Sequence, residues 1–332
     1  MSTGTSETRI DRRLVVLGAV IAVGTFSAAL DATIVSVALA GMSEQFGVPV
    51  STIQWVISGY LLGIATAIPI TGWAVDRFGA KTMWLITLGV FVSASVLCGL
   101  AWSVGSLIAF RVLQGLGAGM IVPIAQILLA REAGPARVGR LMAMVTIPTQ
   151  LAAVFGPTIG GLLVDTVGWR WIFFINVPIC LTAGALAWRL LQADAGQAQR
   201  RLDVVGLLLL SPGLALLVFG LSQLAHSAGA AGVLLPLVAA LVLLAAFVGH
   251  ALRPATASPL VDVRLFGVRW FCVLAALMVV GGAILYGALF LFPLYFQQAR
   301  GHTALQAGLE MAPHGVGMVL MLFFGGALAD RF

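Results

Sequence analysis

The chain reads G-W-A-V-D-R-F-G-A-K from Gly72 to Lys81 and G-A-L-A-D-R-F from Gly326 to Phe332. Both stretches contain a glycine, three further residues and then Asp-Arg-Phe, and the offset between them is 254 residues (326 minus 72). An apolar run precedes each copy, beginning near residue 15 and again at Arg269. Repeats of this length are typical of membrane proteins built from two related halves. We predict that the chain duplicates its first two apolar segments and ends inside the second copy.

The composition indicates a membrane protein. Hydrophobic residues make up 61% of the chain and charged residues 9%, which leaves too few polar side chains to cover a soluble globule. A helix crosses a bilayer with about 20 apolar residues, and continuous runs of that length, without the alternation of barrel strands, recur along the sequence. We predict an all-α integral membrane protein with ten transmembrane helices, at about 14–38, 53–74, 84–102, 105–130, 141–164, 171–190, 204–223, 232–251, 270–296 and 305–328.

The net charge of +6 follows the predicted topology. If the N-terminus is cytoplasmic, all of the 18 Lys and Arg residues except Arg111, Arg170 and Arg300 lie in the N-terminal tail or in cytoplasmic loops. Membrane proteins concentrate their basic loop residues on the cytoplasmic side. The basic excess therefore reflects topology and not nucleic-acid binding. We predict a multi-pass protein with both termini of the chain in the cytoplasm.

The spacing of polar segments predicts the organisation of the chain. If the last two predicted helices repeat the first two, a second bundle lacks four helices, and the parent architecture has fourteen, of which this chain keeps ten. The predicted parts are a cytoplasmic tail (1–13), a six-helix bundle (14–190), a linker (191–203), an inserted helix pair (204–251), a connector (252–268) and the first two helices of an incomplete second bundle (269–332).

Three ionisable residues lie inside predicted helices, namely Asp31 in the first, Arg111 in the fourth and Glu310 in the tenth. Counted from the helix ends, all three come out at the same depth, in the outer half of the membrane. A charge at this depth is costly, so by default it faces a cavity or a partner and serves function. The alternative is a structural pair or a position near the lipid headgroups. With four helices missing, we expect the side of the first helix that carries Asp31 to lie open.

Glu310 and His314 are four residues apart in L-E-M-A-P-H-G and share one helix face. A carboxylate beside a histidine can relay protons or bind a cationic substrate. The alternative, a hydrated pair that lines a cavity without a coupling role, stays open.

Three glycine-containing motifs predict special backbone positions. In the loop motif, Gly72, Asp76, Arg77, Gly79 and Lys81 combine small residues with charges that could lock one state of a two-state transporter, or could form a solvated turn. In R-V-L-Q-G-L-G-A-G (111–119), Gly115 and Gly119 favour close helix packing. In F-G-P-T-I-G-G (155–161), Pro157 removes a backbone hydrogen bond and Gly156, Gly160 and Gly161 loosen the helix, which predicts a bend or a tight packing surface.

These motifs occur in the order found in a known family. The chain resembles the fourteen-helix drug:proton antiporters of the major facilitator superfamily in L-D-A-T-I-V-S-V-A-L at Asp31, the loop motif, the Arg111 motif, G-P-T-I-G-G, G-W-R-W-I-F-F-I-N-V-P (168–178) and the Pro259–Phe266 connector. The resemblance implies the major facilitator fold, a role for Arg111 in proton transfer and, from the fifth-helix motif, export over import. One departure is Ala152, where that motif usually has glycine.

The resemblance implies a secondary exporter of the inner membrane that moves hydrophobic, cationic drug-like compounds outward in exchange for protons. Two alternatives remain, namely an exporter of a self-made metabolite on the same scaffold and a truncated fragment that does not transport. The sequence contains no catalytic triad pattern, no metal-ligand spacing and no nucleotide-binding loop, and its three cysteines lie singly in apolar runs. We therefore predict neither an enzyme nor a cofactor.

Overall fold

A computed structural model describes the chain at residues 12–133, 138–192, 202–225, 229–253, 259–302 and at isolated positions between 306 and 321. The second copy of the loop motif (326–332) lies outside the described residues, as do most of the predicted tail, linker and tenth helix. The described residues contain helices and turns. This outcome follows from their apolarity, because in lipid only a helix or a closed barrel satisfies the backbone polar groups.

Thirteen α-helices make up most of the described chain: α1 (Arg12–Ile34), α2 (Leu39–Phe46), α3 (Val50–Ile53), α4 (Trp55–Ala67), α5 (Thr71–Phe78), α6 (Ala80–Gly99), α7 (Val104–Ala133), α8 (Val138–Val167), α9 (Trp171–Phe174), α10 (Asn176–Leu190), α11 (Val204–Ala225), α12 (Ala230–Ala251) and α13 (Arg269–Leu294). Short 3₁₀ turns join α1 to α2 and α4 to α5. The first span covers α1 and the turn that follows it (Arg12–Ala38), and the second runs through α4 and α5 (Ser51–Phe78).

The all-helical membrane fold predicted from the sequence is confirmed, but the count of ten spans is not. Within the described residues, seven helices are long and apolar enough to cross a membrane, and an eighth is possible if α8 counts as one span. The two halves of α8 (Leu141–Ala152 and Phe155–Val167) are bent by 41°. Pro148 and Pro157 lie inside this helix, and each removes a backbone hydrogen bond, which explains the bend.

The core of the bundle forms around α1 and α7. The first of these packs against α8 and α10, while α7 packs against α4 and α6. Large side chains such as Trp84 and Phe91 of α6 and Ile121 of α7 are fully buried between the helices. These central positions bring α1, which carries Asp31, into contact with α7, which carries Arg111.

The loop motif forms the tight turn between α5 and α6. Gly79 has φ +86° and ψ 149°, a conformation that side chains with a β-carbon rarely adopt. This requirement explains the second glycine of the motif. Gly72 is different, because a β-carbon added there would meet no neighbouring atom within 4 Å, so close helix packing does not explain the first glycine in this structure.

Glycines allow α4 and α7 to touch through their backbones, as the G-x-x-x-G spacing predicted. A β-carbon added to Gly115 would collide with the carbonyl oxygen of Tyr60, and one added to Gly63 with that of Val112. A β-carbon on Gly119 would lie 2.8 Å from the carbonyl oxygen of Ile64. Three successive contacts of this kind leave no room for any side chain along the seam.

Of the inserted pair, α11 packs against α4, and α12 packs against α11. Ser211 of α11 donates a hydrogen bond to the carbonyl oxygen of Thr66 (3.0 Å), and the rings of Phe219 and Trp55 lie 5.3 Å apart. The following helix, α13, packs mainly against its own flanking turns and exposes large apolar side chains such as Trp270 and Met278.

Asp203 ties the inserted pair to the connector. Its Oδ1 accepts a hydrogen bond from the Gly206 amide and lies 2.8 Å from Nε2 of His250 at the end of α12, while its Oδ2 accepts from the Leu260 amide (3.2 Å). Burial by itself raises the pKa of Asp203, but the hydrogen bonds from Gly206, His250 and Leu260 outweigh that effect, so the pKa of this carboxyl group is lowered. The carboxylate also caps the first turn of α11.

We expect Asp203→Ala to loosen the connector. Because the folded state lowers the pKa of Asp203, its stabilisation is complete above the ordinary carboxyl pKa and is lost as the pH falls through the lowered value. Losing a helix cap costs about 1 kcal/mol, or roughly a fivefold change in a local opening equilibrium. Hydrogen–deuterium exchange at Leu260 should therefore quicken about fivefold in the variant at neutral pH. Asp262→Asn changes an exposed carboxylate of the same connector and should leave the exchange rate at Leu260 unchanged. Equal exchange rates in both variants would show that Asp203 does not hold the connector.

Candidate functional site

A buried ion pair joins α1 to α7 in the middle of the bundle. Nη1 of Arg111 lies 2.6 Å from Oδ2 of Asp31, and the two side chains are 1% and 0% exposed. The equal depth predicted from the two helix ends therefore corresponds to direct contact. The same burial corrects the expectation that this side of the first helix lies open, because α1, α6, α7 and α10 together enclose Asp31 in the chain as it stands.

Arg111 is held by three groups besides Asp31. Its Nε donates to the carbonyl oxygen of Val56 (3.1 Å), its Nη1 also donates to Oε1 of Gln114 (2.7 Å), and its guanidinium lies 4.0 Å from the centre of the Tyr60 ring. An arginine keeps its proton in proteins. The site therefore always contains one positive charge, in a fixed position.

Two side-chain amides complete the coordination of Asp31. Oδ1 of Asp31 accepts from Nε2 of Gln114 and from Nδ2 of Asn176, both at 2.9 Å. The same two nitrogens also donate to Oγ of Ser95, both at 3.1 Å. Three donors from α7 and α10 thus surround one carboxylate, and the hydroxyl of Ser95 on α6 connects the two amides.

The hydrogen bonds explain how a charged pair exists inside an apolar bundle. Removing a carboxylate and a guanidinium from water costs several kcal/mol each, and their attraction repays that cost only when further hydrogen bonds satisfy the remaining groups. Here both oxygens of Asp31 have donors, and the donors include a fixed charge. The donors therefore satisfy a group that, when ionised, only accepts hydrogen bonds.

The charged residues of the loop motif bind neighbouring helices at one end of the bundle. Asp76 lies 3.2 Å from Nη2 of Arg131 at the end of α7. Lys81 donates two hydrogen bonds of 2.7 Å to the carbonyl oxygens of Trp188 and Leu191, at the last turn of α10. Lys81 thus satisfies carbonyl groups that a helix end leaves free. Arg77 is half-buried at the end of α5.

The glycines of the fifth-helix motif form the contact surface of α8 with α1. A β-carbon on Gly156 would collide with the hydroxyl of Thr33, and one on Gly160 would lie 2.7 Å from the side chain of Ile34. Gly156, Pro157, Gly160 and Gly161 are all buried. The motif therefore holds the segment of α1 that directly follows Asp31, and Pro157 lies in the second half of the bent α8.

Glu310 and His314 are not brought together with the ion pair. Oε1 of Glu310 lies 3.0 Å from Nδ1 of His302, and the Glu310 side chain is 38% exposed. The ring of His314 packs edge-on against Phe292, with ring centres 6.0 Å apart. The predicted Glu310–His314 pair is thus replaced in this structure by a Glu310–His302 pair.

A comparison with protein families decides where the chain belongs. Residues 21–332 match the Major Facilitator Superfamily. The chain belongs to this superfamily. The predicted membership is therefore confirmed, and members of this superfamily are multi-pass membrane transporters and not enzymes.

Two curated relatives in the superfamily cover nearly the whole chain. The Multidrug resistance protein B homolog of Mycobacterium tuberculosis (strain ATCC 25618 / H37Rv) is 41% identical over 325 residues, which are 97% of this chain and 60% of that protein. Multidrug export protein EmrB of Haemophilus influenzae is 35% identical over 311 residues, 93% of this chain and 61% of that protein. The chain thus spans about three fifths of the length of these relatives.

A solved structure of another transporter shows the same fold. The crystal structure of a D-xylose-proton symporter superposes with a TM-score of 0.61, covering 96% of this chain and 69% of that chain. The two sequences are 14% identical, so this likeness concerns the fold alone.

Sequence reasoning missed three members of this superfamily protein's polar cluster, namely Ser95, Gln114 and Asn176. A signal for Gln114 was present, because it lies three residues after Arg111 and therefore on the same helix face. Asn176 lies in the motif G-W-R-W-I-F-F-I-N-V-P, where it is the uncharged polar residue of an otherwise apolar run. No feature of the sequence distinguishes Ser95 from the other small polar residues of its helix.

Proposed function

We propose that this superfamily member exports hydrophobic, cationic drug-like compounds across the inner membrane in exchange for protons, with both termini of the chain cytoplasmic. The observation that carries the proposal is the buried Asp31–Arg111 pair, in which both oxygens of Asp31 accept hydrogen bonds. Ionisable residues inside membrane segments mark proton relays in pumps and transporters, and Asp31 supplies a titratable acid beside a permanent positive charge.

The charge of the site explains why protons and a cationic substrate would exclude one another. With Asp31 ionised, the pair is neutral overall. After Asp31 takes up a proton, the charge of Arg111 remains uncompensated, and in a medium of low dielectric constant it repels a second cation strongly. A cation would therefore bind to the ionised site and leave when the proton arrives.

The substrate class rests on the relatives and on the surroundings of the site. The two relatives described above are named for multidrug resistance and multidrug export. Beyond the polar cluster around Asp31, the buried side chains of the bundle are mainly apolar, which suits hydrophobic compounds. The charge argument adds the preference for cations.

The other predicted site residues take supporting roles in this proposal. The loop motif (Gly72, Asp76, Arg77, Gly79 and Lys81) would hold the inner end of the bundle in one state through its contacts with α7 and α10. The glycine surface of α8 would guide the outer half of α1. Glu310 and His314 would contribute a second titrating group at the start of the second bundle.

The test is export by Asp31→Asn. In inverted vesicles that contain the chain, we expect an imposed proton gradient to drive the accumulation of several cationic dyes. The substitution keeps the shape of the side chain but removes its ability to bind a proton, so proton-driven accumulation should fall to the level of vesicles that lack the chain. Asp165→Asn, which removes an exposed carboxylate from α8, is the matched control. Undiminished accumulation in Asp31→Asn, or none with the wild type, would refute the proposal.

A further inference from the structure

Asn176 is fully buried at the first residue of α10, directly after the break that separates α10 from α9. An amide in an apolar interior costs free energy unless its hydrogen bonds are made. Both polar atoms of the Asn176 side chain have partners: Nδ2 donates to Asp31 and to Ser95, and Oδ1 accepts from the hydroxyl of Ser27 (2.9 Å). An apolar residue of similar size, such as leucine, would avoid the cost of burying an amide. Packing alone therefore does not explain why the residue is an asparagine.

The network fixes which end of the amide faces Asp31. An ionised carboxylate only accepts hydrogen bonds, so the NH₂ group must point toward it and the oxygen toward Ser27. Ser27 lies on α1, one turn before Asp31, and it also accepts from the thiol of Cys180 on α10 (3.3 Å). The orientation of Asn176 is therefore set by the same two helices that it joins.

Asn176 and Gln114 play different parts around the carboxylate. Gln114 lies on the same helix as Arg111, and its oxygen accepts directly from that guanidinium (2.7 Å). Both of these donors therefore move with α7. Asn176 is the donor to Asp31 that comes from α10. The geometry consequently makes the hydrogen bond from Asn176 sensitive to the position of α10 relative to α1.

We infer that Asn176 is a positioning residue that stabilises the ionised form of Asp31 and thereby sets the pH at which Asp31 takes up its proton. This inference rests on the proposed function, because it assumes that Asp31 is the group that titrates. Movement of α10 away from α1 would remove one of three donors from the carboxylate. Proton uptake would then become easier without any change in Arg111.

Asn176→Leu isolates this role, since leucine is close to asparagine in size and has no donor. Hydrogen bonds to charged groups contribute more than neutral ones, and their loss corresponds to about one pH unit in the titration of the acceptor. We expect Asp31 to take up its proton about one pH unit higher in this variant. Ser27→Ala frees the oxygen of Asn176 without touching Asp31 and should shift the titration in the same direction by less.

The measurement is an infrared pH titration of the purified chain in liposomes. The absorption of a protonated carboxyl group that is missing from Asp31→Asn belongs to Asp31, and its pH midpoint is compared among the variants. Thr149→Val is the matched control, because Thr149 is a polar residue of the same bundle that bonds to Thr25 and Val145 and not to the Asp31 cluster. A purely structural role for Asn176 would leave the midpoint unchanged while lowering the stability.

Each outcome decides the inference. A midpoint that moves upward in Asn176→Leu, less in Ser27→Ala and not in Thr149→Val supports it. An unchanged pH midpoint of the Asp31 absorption in Asn176→Leu overturns it. The same holds if this absorption is absent from both the wild type and Asn176→Leu over the whole pH range in which they stay folded. If Asn176→Leu does not fold, Ser27→Ala decides alone. Failure of the proposed function is recognised separately, because in that case Asp31→Asn keeps its proton-driven export whatever the infrared titration shows.

Discussion

Arg111→Ala should destabilise the bundle by about 3–5 kcal/mol, since it leaves Asp31 as a buried charge without its counter-ion. The amides of Gln114 and Asn176 remain as donors, but neither carries a charge. Arg111→Lys should be less damaging because it keeps the charge, although an ammonium group cannot reproduce both the bond to Val56 and the contact with the Tyr60 ring. Unfolding in detergent, followed by tryptophan fluorescence, measures these differences.

A double-mutant cycle separates the ion pair from the size of the side chains. Asp31→Asn alone strands the guanidinium and should also be costly, whereas Arg111→Ala combined with Asp31→Asn removes both charges. We expect the loss in the double variant to be smaller than the sum of the single losses by about 1 kcal/mol or more. Additive losses would show that the two charges do not stabilise one another, and the electrostatic account of the site would fail.

Gly115→Ala should destabilise the contact of α4 with α7 by about 1–3 kcal/mol, the usual cost of overpacking a full interior. The added methyl group meets the carbonyl oxygen of Tyr60, and a backbone atom cannot turn aside as a flexible side chain can. The two helices must therefore separate, which also disturbs Arg111, four residues earlier on α7. Thermal unfolding of the purified protein measures the loss.

Gly89→Ala provides the control for this experiment. Gly89 lies inside α6, and a β-carbon there would meet no atom within 4 Å. Alanine favours the helical conformation, so this change should leave the stability unaltered or raise it slightly. If Gly115→Ala were as stable as Gly89→Ala, the helix seam would be looser than the structure shows.

The fold was largely predictable because the length of apolar runs and the charge of the loops can be read directly along the sequence. Runs of apolar residues located α1, α6, α7 and the inserted pair to within a few residues. The length of an apolar run could not reveal that α8 is bent by 41°, because Pro157 predicts a bend but not its angle. The ninth predicted span corresponds to α13, while the tenth lies mostly outside the described residues.

The site was predictable only in depth. Counting residues from the helix ends gives a depth in the membrane. For Asp31 and Arg111 the equal depth was enough to predict their contact, because their helices are neighbours. The same count placed Glu310 at that depth, but its partner in this structure is His302, because depth says nothing about which helices are adjacent. Asn176 was missed for a further reason, since a single amide in an apolar motif has no spacing that marks its partner.

The distance along the chain between the partners of the ion pair has a consequence for biogenesis. Asp31 and Arg111 are separated by 80 residues, and Asn176 follows Asp31 by 145. A ribosome adds about 5–20 residues per second, so the first helix waits roughly 4–16 s for its counter-ion and longer for its amide. During that interval an unpaired carboxylate at the membrane costs about 2.5–3.5 kcal/mol on insertion scales. We therefore expect α1 to be stably integrated into the membrane only when α7, which carries Arg111, leaves the translocon. Nascent chains arrested before that point should remain extractable from the membrane.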